Sequence, residues 1–198
     1  MRRKITCIIC LISCLFALAG CGSSTKLSLA DTEVDTVYIS ADGNVELVSV
    51  EDFDKKDYSE SDLKSFIKDA VSEYNDKQGK DSVTMEDFTV KSKVAKVLLT
   101  FNSLESYAGF QNEDLNIMNI EDVGDNMVLP TSFTAAKDDS IISKDDILSK
   151  KGLKMMIIGD SALHIEIDGT VMYYADANLT GSNSVETTEG QTAVIIYK

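Results

Sequence analysis

The sequence predicts an α+β fold: an antiparallel sheet made of hairpins and a C-terminal meander, with one main amphipathic helix over residues 59–78 packed against it. Three observations lead there. Short runs rich in β-branched and aromatic residues recur from residue 36 onward, several of them alternating apolar with polar side chains, the period of a half-buried strand. Two junctions between such runs carry Asp-Gly, at Asp42-Gly43 and Asp168-Gly169, a pair suited to tight turns because glycine reaches positive φ without a Cβ clash. Only one long segment, "SESDLKSFIKDAVSEYNDKQG", keeps the three-and-four spacing of a helix.

In chain order, "TVYISADGNVELVSV" from Thr36 reads as a hairpin. A three-residue loop, Ala41-Asp42-Gly43 with Gly43 left-handed, sets Ile39 opposite Val45 and Val37 opposite Leu47; a two-residue loop would set Ile39 against Glu46, so the first register is expected. In the helix, Leu63, Phe66, Ile67, Ala70, Val71 and Tyr74 form a single stripe, which predicts a face packed on the sheet. Ser59 and Asp62 resemble a capping box, and Gly79 is a C-terminal stop. "FTVKSKVAKVLLTF", residues 88–101, reads as one long strand, central or with a bulge near Lys96 because its end is apolar on both faces. Ser103 is a cap for a short helix through Leu104, Tyr107 and Ala108, after which the period is lost. Ser143 caps another helix with Asp145-Asp146 in its first turn. "LKMMIIG", "ALHIEI", "TVMYYA" and "TAVIIYK" then read as the strands of the meander.

The N-terminus is of a different kind. Arg2, Arg3 and Lys4 precede an apolar run from Ile5 to Ala17 broken only by Thr6 and Ser13, the pattern of a secretory signal peptide, here residues 1–20. The run falls short of the ~20 residues that a bilayer-spanning helix needs. Leu18-Ala19-Gly20-Cys21 resembles the lipobox of bacterial lipoproteins, in which the cysteine becomes the mature N-terminus and is lipidated on sulfur. The resemblance implies that Cys21 is the lipid attachment site and that two acyl chains hold the chain at the extracytoplasmic face of the cell membrane. At ~0.8 kcal/mol per buried methylene, two chains anchor stably where one is marginal. Cys7, Cys10 and Cys14 lie inside the leader and leave with it, so no thiol remains to pair with Cys21. Residues 21–35 are then the lipidated cysteine and a polar tether, and residues 36–198 a single globular α+β domain. The body resembles small lipoproteins of Gram-positive anaerobes, a likeness without a diagnostic motif that implies no activity.

Loss of the three leader cations moves the formal charge from −14 to −17. Such a chain is repelled by phosphate backbones, which excludes nucleic acid as a partner, and by anionic headgroups, which leaves the acyl anchor to hold it at the membrane. Carboxylates collect at Glu113-Asp114, Glu121-Asp122, Asp125, Asp138-Asp139 and Asp145-Asp146, but no segment fits a calcium loop of the D-x-[DN]-x-[DN]-G type. With one histidine and no free cysteine after processing, a nitrogen- or sulfur-ligated metal centre is not expected, nor is a cofactor, since glycine-rich phosphate loops are absent.

Two local patterns invite a function and are read otherwise. Asn178-Leu179-Thr180 matches a glycosylation sequon, but a bacterial envelope makes it a turn. "IIGDSALH" resembles the nucleophile block of the Gly-Asp-Ser esterases. That family places its serine near the start of the domain and an Asp-x-x-His near the end, whereas Ser161 has 37 residues after it and the sole histidine, His164, follows on the same predicted strand. A serine needs a base within hydrogen-bond reach, so Gly159-Asp160-Ser161 is read as a turn with positive φ at Gly159, and no catalytic residue is assigned. The expectation is a non-catalytic module that binds an envelope protein, peptide or glycan. An accessory subunit of an envelope assembly and a carboxylate-based hydrolase are the alternatives.

Overall fold

The computed structural model describes residues 25–55 and 59–198; the leader and Cys21 lie outside the described residues. β1 (Thr36–Ile39) and β2 (Val45–Asp52) pair antiparallel with Ile39 opposite Val45 and Val37 opposite Leu47, the register that the apolar pattern requires. Gly43 has φ 86°, and the Ser40 amide closes the loop onto the Asn44 carbonyl at 2.9 Å. α1 (Glu60–Gln78) starts at Ser59, whose hydroxyl accepts from the Asp62 amide, and stops at Gly79, whose amide returns to the Asn75 carbonyl.

The run 88–101, expected to be one strand, is bent into a hairpin of β3 (Val83–Lys91) and β4 (Val94–Phe101). Its turn residues, Ser92 and Lys93, have φ 52° and 66°. Two successive left-handed residues make the tight turn that fits the twist of a hairpin, but Asn and Gly ordinarily supply it, so neither side chain signals the reversal. Eight facing pairs between β3 and β4 outweigh that strain. The bulge lies on β3 between Met85 and Asp87, not near Lys96.

α2 (Leu104–Gln111) is capped by Ser103, which accepts from the Ser106 amide at 3.1 Å, and ends at a left-handed Asn112. The region without a legible period contains β5 (Leu115–Asn119), a 3-10 turn at Ile120–Asp122, β6 (Ser132–Ala135), β7 (Ile141–Ser143) and α3 (Lys144–Leu148). Ser143 caps α3 by accepting from the Asp146 amide. β8 (Lys154–Ile158), β9 (His164–Ile167), β10 (Val171–Ala175), β11 (Asn178–Gly181), β12 (Ser184–Glu186) and β13 (Ala193–Tyr197) follow.

The fold is α+β and mostly antiparallel, as the sequence predicts, with its strands divided between two sheets. One runs β11-β12-β9-β1-β2-β4-β3 and the other β5-β8-β13-β10-β6-β7. The C-terminal strands are shared between both, β9, β11 and β12 in the first and β8, β10 and β13 in the second, so β8 and β9 are not neighbours; β9 instead lies parallel to β1, Val37 beside Ile165 and Ile39 beside Ile167. The two sheets share a core in which Val37, Leu47, Phe101 and Ile165 of the first meet Met156, Ile195 and Tyr197 of the second. On the far side of the second sheet, Val194, Ile196 and Met155 pack with Ile120, Phe133 and Ile147. All five residues of β13 are buried because its alternate side chains serve both cores, which is why "AVIIY" is an unbroken apolar run.

A third core covers the outer face of the first sheet, where Tyr38, Val48 and Leu98 are capped by Leu27 and Leu29. The segment expected to be a tether is therefore part of the folded body from Lys26 onward. The Lys26 and Leu27 amides donate to the Glu46 carboxylate at 2.8–3.0 Å. The Lys96 ammonium donates to the Thr32 carbonyl at 2.6 Å, the Leu29 carbonyl at 3.3 Å and Glu33 at 3.0 Å. Val48 and Leu98 point outward and would face water without this strap, and burying them offsets the entropy of ordering it. Among the described residues, the side chains of the three cores span residues 27–197.

Candidate functional site

The stripe of α1 is partly buried: Ile67, Val71 and Tyr74 pack against the main core, as the spacing predicts. No residue of this helix is fully buried, and Phe66 is 70% exposed. α1 lies against β3 of the first sheet. Between them runs a groove of about 480 Å³. Its floor is Ala95, Val97 and Leu99 of β4 with Phe88 of β3; its wall is Leu63, Phe66, Ile67 and Ala70 of α1. A second recess of about 470 Å³ adjoins it at the start of the helix, sharing Leu63, Phe66, Ala95 and Glu51 and adding Asp52, Phe53 and Asp62.

The helix is held mainly by its C-terminal half. Asn75 pairs like a strand residue with the backbone of Val83, donating to its carbonyl at 2.8 Å and accepting from its amide at 2.9 Å. Tyr74 meets Phe110 of α2 edge to face, with ring centroids 5.4 Å apart. Gly109 permits this approach, since a Cβ there would stand 2.6 Å from the Tyr74 hydroxyl. Towards the N-terminal half Ile67 packs against the main core and the Lys64 ammonium stands 5.6 Å from the Phe88 ring centre. Lys77 pairs with Glu73 at 2.6 Å at the other end, and this pair holds the Glu73 carboxyl below its ordinary range. Periodicity located the stripe correctly but did not reveal the groove, because spacing reports which residues share a face and not how closely the sheet approaches it.

A separate cleft of about 630 Å³ opens where β1 and β9 begin, lined by Glu33, Asp35, Glu51, Asp52, His164 and Glu186. His164 has one ring nitrogen 3.6 Å from Glu166 and the other 3.9 Å from Glu186. Ser161 does not meet it. The Ser161 hydroxyl donates to Glu113 at 2.5 Å, so serine and histidine face different carboxylates. Gly159 is required, though not for positive φ: a Cβ there would lie 3.0 Å from the Asp114 Cβ and 3.4 Å from its carbonyl oxygen, which accepts the Gly159 amide at 2.7 Å. Asp160 fastens the same loop by accepting from the Gly190 amide.

The acidic pairs of the middle region are occupied locally. Glu121 accepts from the Gly152 amide, Asp122 from Asn119 and Asp138 from Ser140. Among the described residues no group of three or more His, Cys, Asp or Glu side chains is arranged to hold a metal ion, and no helix is long and apolar enough to cross a membrane. Cys21, the one site residue assigned from sequence, lies outside the described residues. No protein-family model matches the chain, and neither a curated protein nor a solved structure matches it.

Proposed function

We propose that this chain is a membrane-anchored extracytoplasmic lipoprotein, held by lipid on Cys21, whose domain is a non-catalytic module binding a ligand in the groove beneath α1. The observation that carries the binding role is the apolar recess of about 480 Å³ beside α1, where Phe66 is left 70% exposed although Ile67, Val71 and Tyr74 of the same stripe pack against the core. The Phe66 ring left in water forgoes roughly 25 cal/mol per Å², which an occupant covering it would recover. Apolar grooves of several hundred Å³ with a few polar groups at the rim are the usual form of a ligand site.

Two measurements test this reading. For the anchor, intact mass of the wild-type chain should show acylation at Cys21, and Cys21→Ala should accumulate as unprocessed precursor. A soluble wild-type chain with unmodified Cys21 refutes it. For the groove, residues 22–198 should bind the neutral dye N-phenyl-1-naphthylamine saturably, and Phe66→Glu should weaken this at least tenfold with the fold intact, because Phe66 is already exposed. Unsaturable dye uptake, or binding indifferent to Phe66→Glu, refutes the site.

A further inference from the structure

Resting on that reading, we infer that the occupant of the groove is a basic amphipathic segment of a partner protein, laid along α1 with its cationic end against Glu51, Asp52 and Asp62. The two recesses share Leu63 and Phe66 and extend along the helix from Ser59 to Lys77, a span of about 27 Å at 1.5 Å per residue. A slot of that length, apolar along its floor, suits several turns of a helix or an extended segment and is long for a single ring system.

Charge decides among the elongated candidates. Glu51, Asp52 and Asp62 stand at the end where α1 begins, and none of the three has a salt-bridge partner among the described residues. Asp35 and Glu186 lie in the cleft that shares Glu51 and Asp52 with this end, together with Glu33, which Lys96 already matches. At the opposite end the carboxylate of Glu73 is already matched by Lys77. Lys64 over the Phe88 ring offsets one of the three carboxylates and Lys96 is matched by Glu33, so the groove is apolar in its length, net acidic at the helix start and neutral at the other end. A fatty-acid carboxylate or an anionic headgroup would meet net like charge at the helix start. A second copy of the chain, at a formal charge of −14, would bring its own acidic surface against this one. A peptide with leucine-type anchors and lysine or arginine at one end satisfies both features, the apolar contacts supplying affinity and the charges supplying orientation and on-rate.

The chain contains no tryptophan, so the fluorescence of a single tryptophan in a probe peptide reports binding without background. The probes are a 14-residue leucine–lysine amphipathic peptide carrying one tryptophan and its leucine–glutamate counterpart, titrated into residues 22–198, whose three cores are complete. The basic peptide should bind saturably at one per chain with a blue-shifted emission, at least tenfold tighter than the acidic one. Phe66→Glu should weaken it at least tenfold although that variant adds a negative charge. The triple variant Glu51→Gln, Asp52→Asn, Asp62→Asn should weaken it at least fivefold and narrow the gap between the basic and the acidic peptide. Basic-peptide binding that survives Phe66→Glu is surface electrostatics alone and overturns the inference, as does equal binding of the two peptides. If neither peptide binds but dye and dodecanoate do, and both are lost in Phe66→Glu, the site stands and the partner chemistry is overturned in favour of an acyl chain. A wild-type dimer in sedimentation that Phe66→Glu dissolves overturns it in favour of a second copy. Loss of dye binding as well brings down the binding role itself.

Discussion

Removing the two leucines of the N-terminal strap tests whether residues 26–34 are fold or tether. Leu27 and Leu29 are 6% and 8% exposed, seated on Tyr38, Val48 and Leu98. Leu→Ala removes three carbons, and at ~0.8 kcal/mol per buried methylene the transfer loss is about 2.4 kcal/mol per site. The added cavity penalty seen in rigid cores is small here, because a strap on the surface settles into the space. Each single variant should therefore cost about 2 kcal/mol, or roughly 4–8 °C in melting temperature for a domain of this size. The double variant should cost less than the sum, since one strap holds both side chains and loss of one frees the other. Glu46→Gln, which removes the ionised acceptor of the Lys26 and Leu27 amides, should cost about 1 kcal/mol. The assay is thermal and urea unfolding of residues 22–198, with a fluorescent dye reporting exposure of the outer sheet face. Were the segment a solvated tether, the same substitutions would fall within about 0.5 kcal/mol. Both leucine variants melting within about 1 °C of wild type would refute the strap.

Gly159→Val should destabilise the domain by about 1–3 kcal/mol, the range for overpacking, because its side chain would collide with Asp114; an unchanged urea midpoint contradicts the close approach. Ser161→Ala should cost about 1 kcal/mol for the lost bond to Glu113 and produce no change in hydrolysis of short acyl esters, whereas serine-dependent turnover would reinstate the esterase reading. Burial pushes the phenols of Tyr107 and Tyr197 up, that of Tyr197 to about 12. Unfolded tyrosines ionise near 10, so above that pH the unfolded state holds fewer protons and stability falls as pH rises, with no contribution from these groups below about pH 9. Melting temperatures measured from pH 8 to 11 should be level and then decline, and Tyr197→Phe should soften the decline; a fall that begins below pH 9 and is insensitive to this variant would count against it. Reductant should leave the melting temperature of residues 22–198 unchanged, as they contain no cysteine, and a drop of several degrees would contradict a fold held by core burial alone.

Local physics was legible wherever one short stretch decides the outcome. The β1–β2 register followed from the apolar pattern and Gly43, the three helix starts from Ser59, Ser103 and Ser143, and the α+β class from the mixture of periods. These are choices among conformations of a few neighbouring residues, and side-chain chemistry determines them before the chain meets itself. The Ser92-Lys93 reversal escaped because the pairing of β3 with β4 imposes a backbone that neither residue prefers. The division of the last strands between two sheets escaped for a related reason: an apolar strand such as Ala193–Tyr197 fits any position buried on both faces, and periodicity says nothing of its neighbours.

The features that bear on function are tertiary throughout. A polar-looking stretch, 22–35, carries two leucines that become a strap only because Val48 and Leu98 leave an apolar face uncovered 20 and more residues later. The amphipathic stripe from Leu63 to Tyr74 was plain in the sequence, and its purpose was not. Whether such a stripe fills a core or lines a groove depends on the distance at which Asn75, Tyr74 and Gly109 hold the helix from the sheet. Sequence alone determined which residues are apolar and on which face they lie. Only the packing of α1 against β3 and α2 decided that Ile67, Val71 and Tyr74 reach the core while Phe66 stays open, because the separation of two elements is set by contacts between residues distant in the chain.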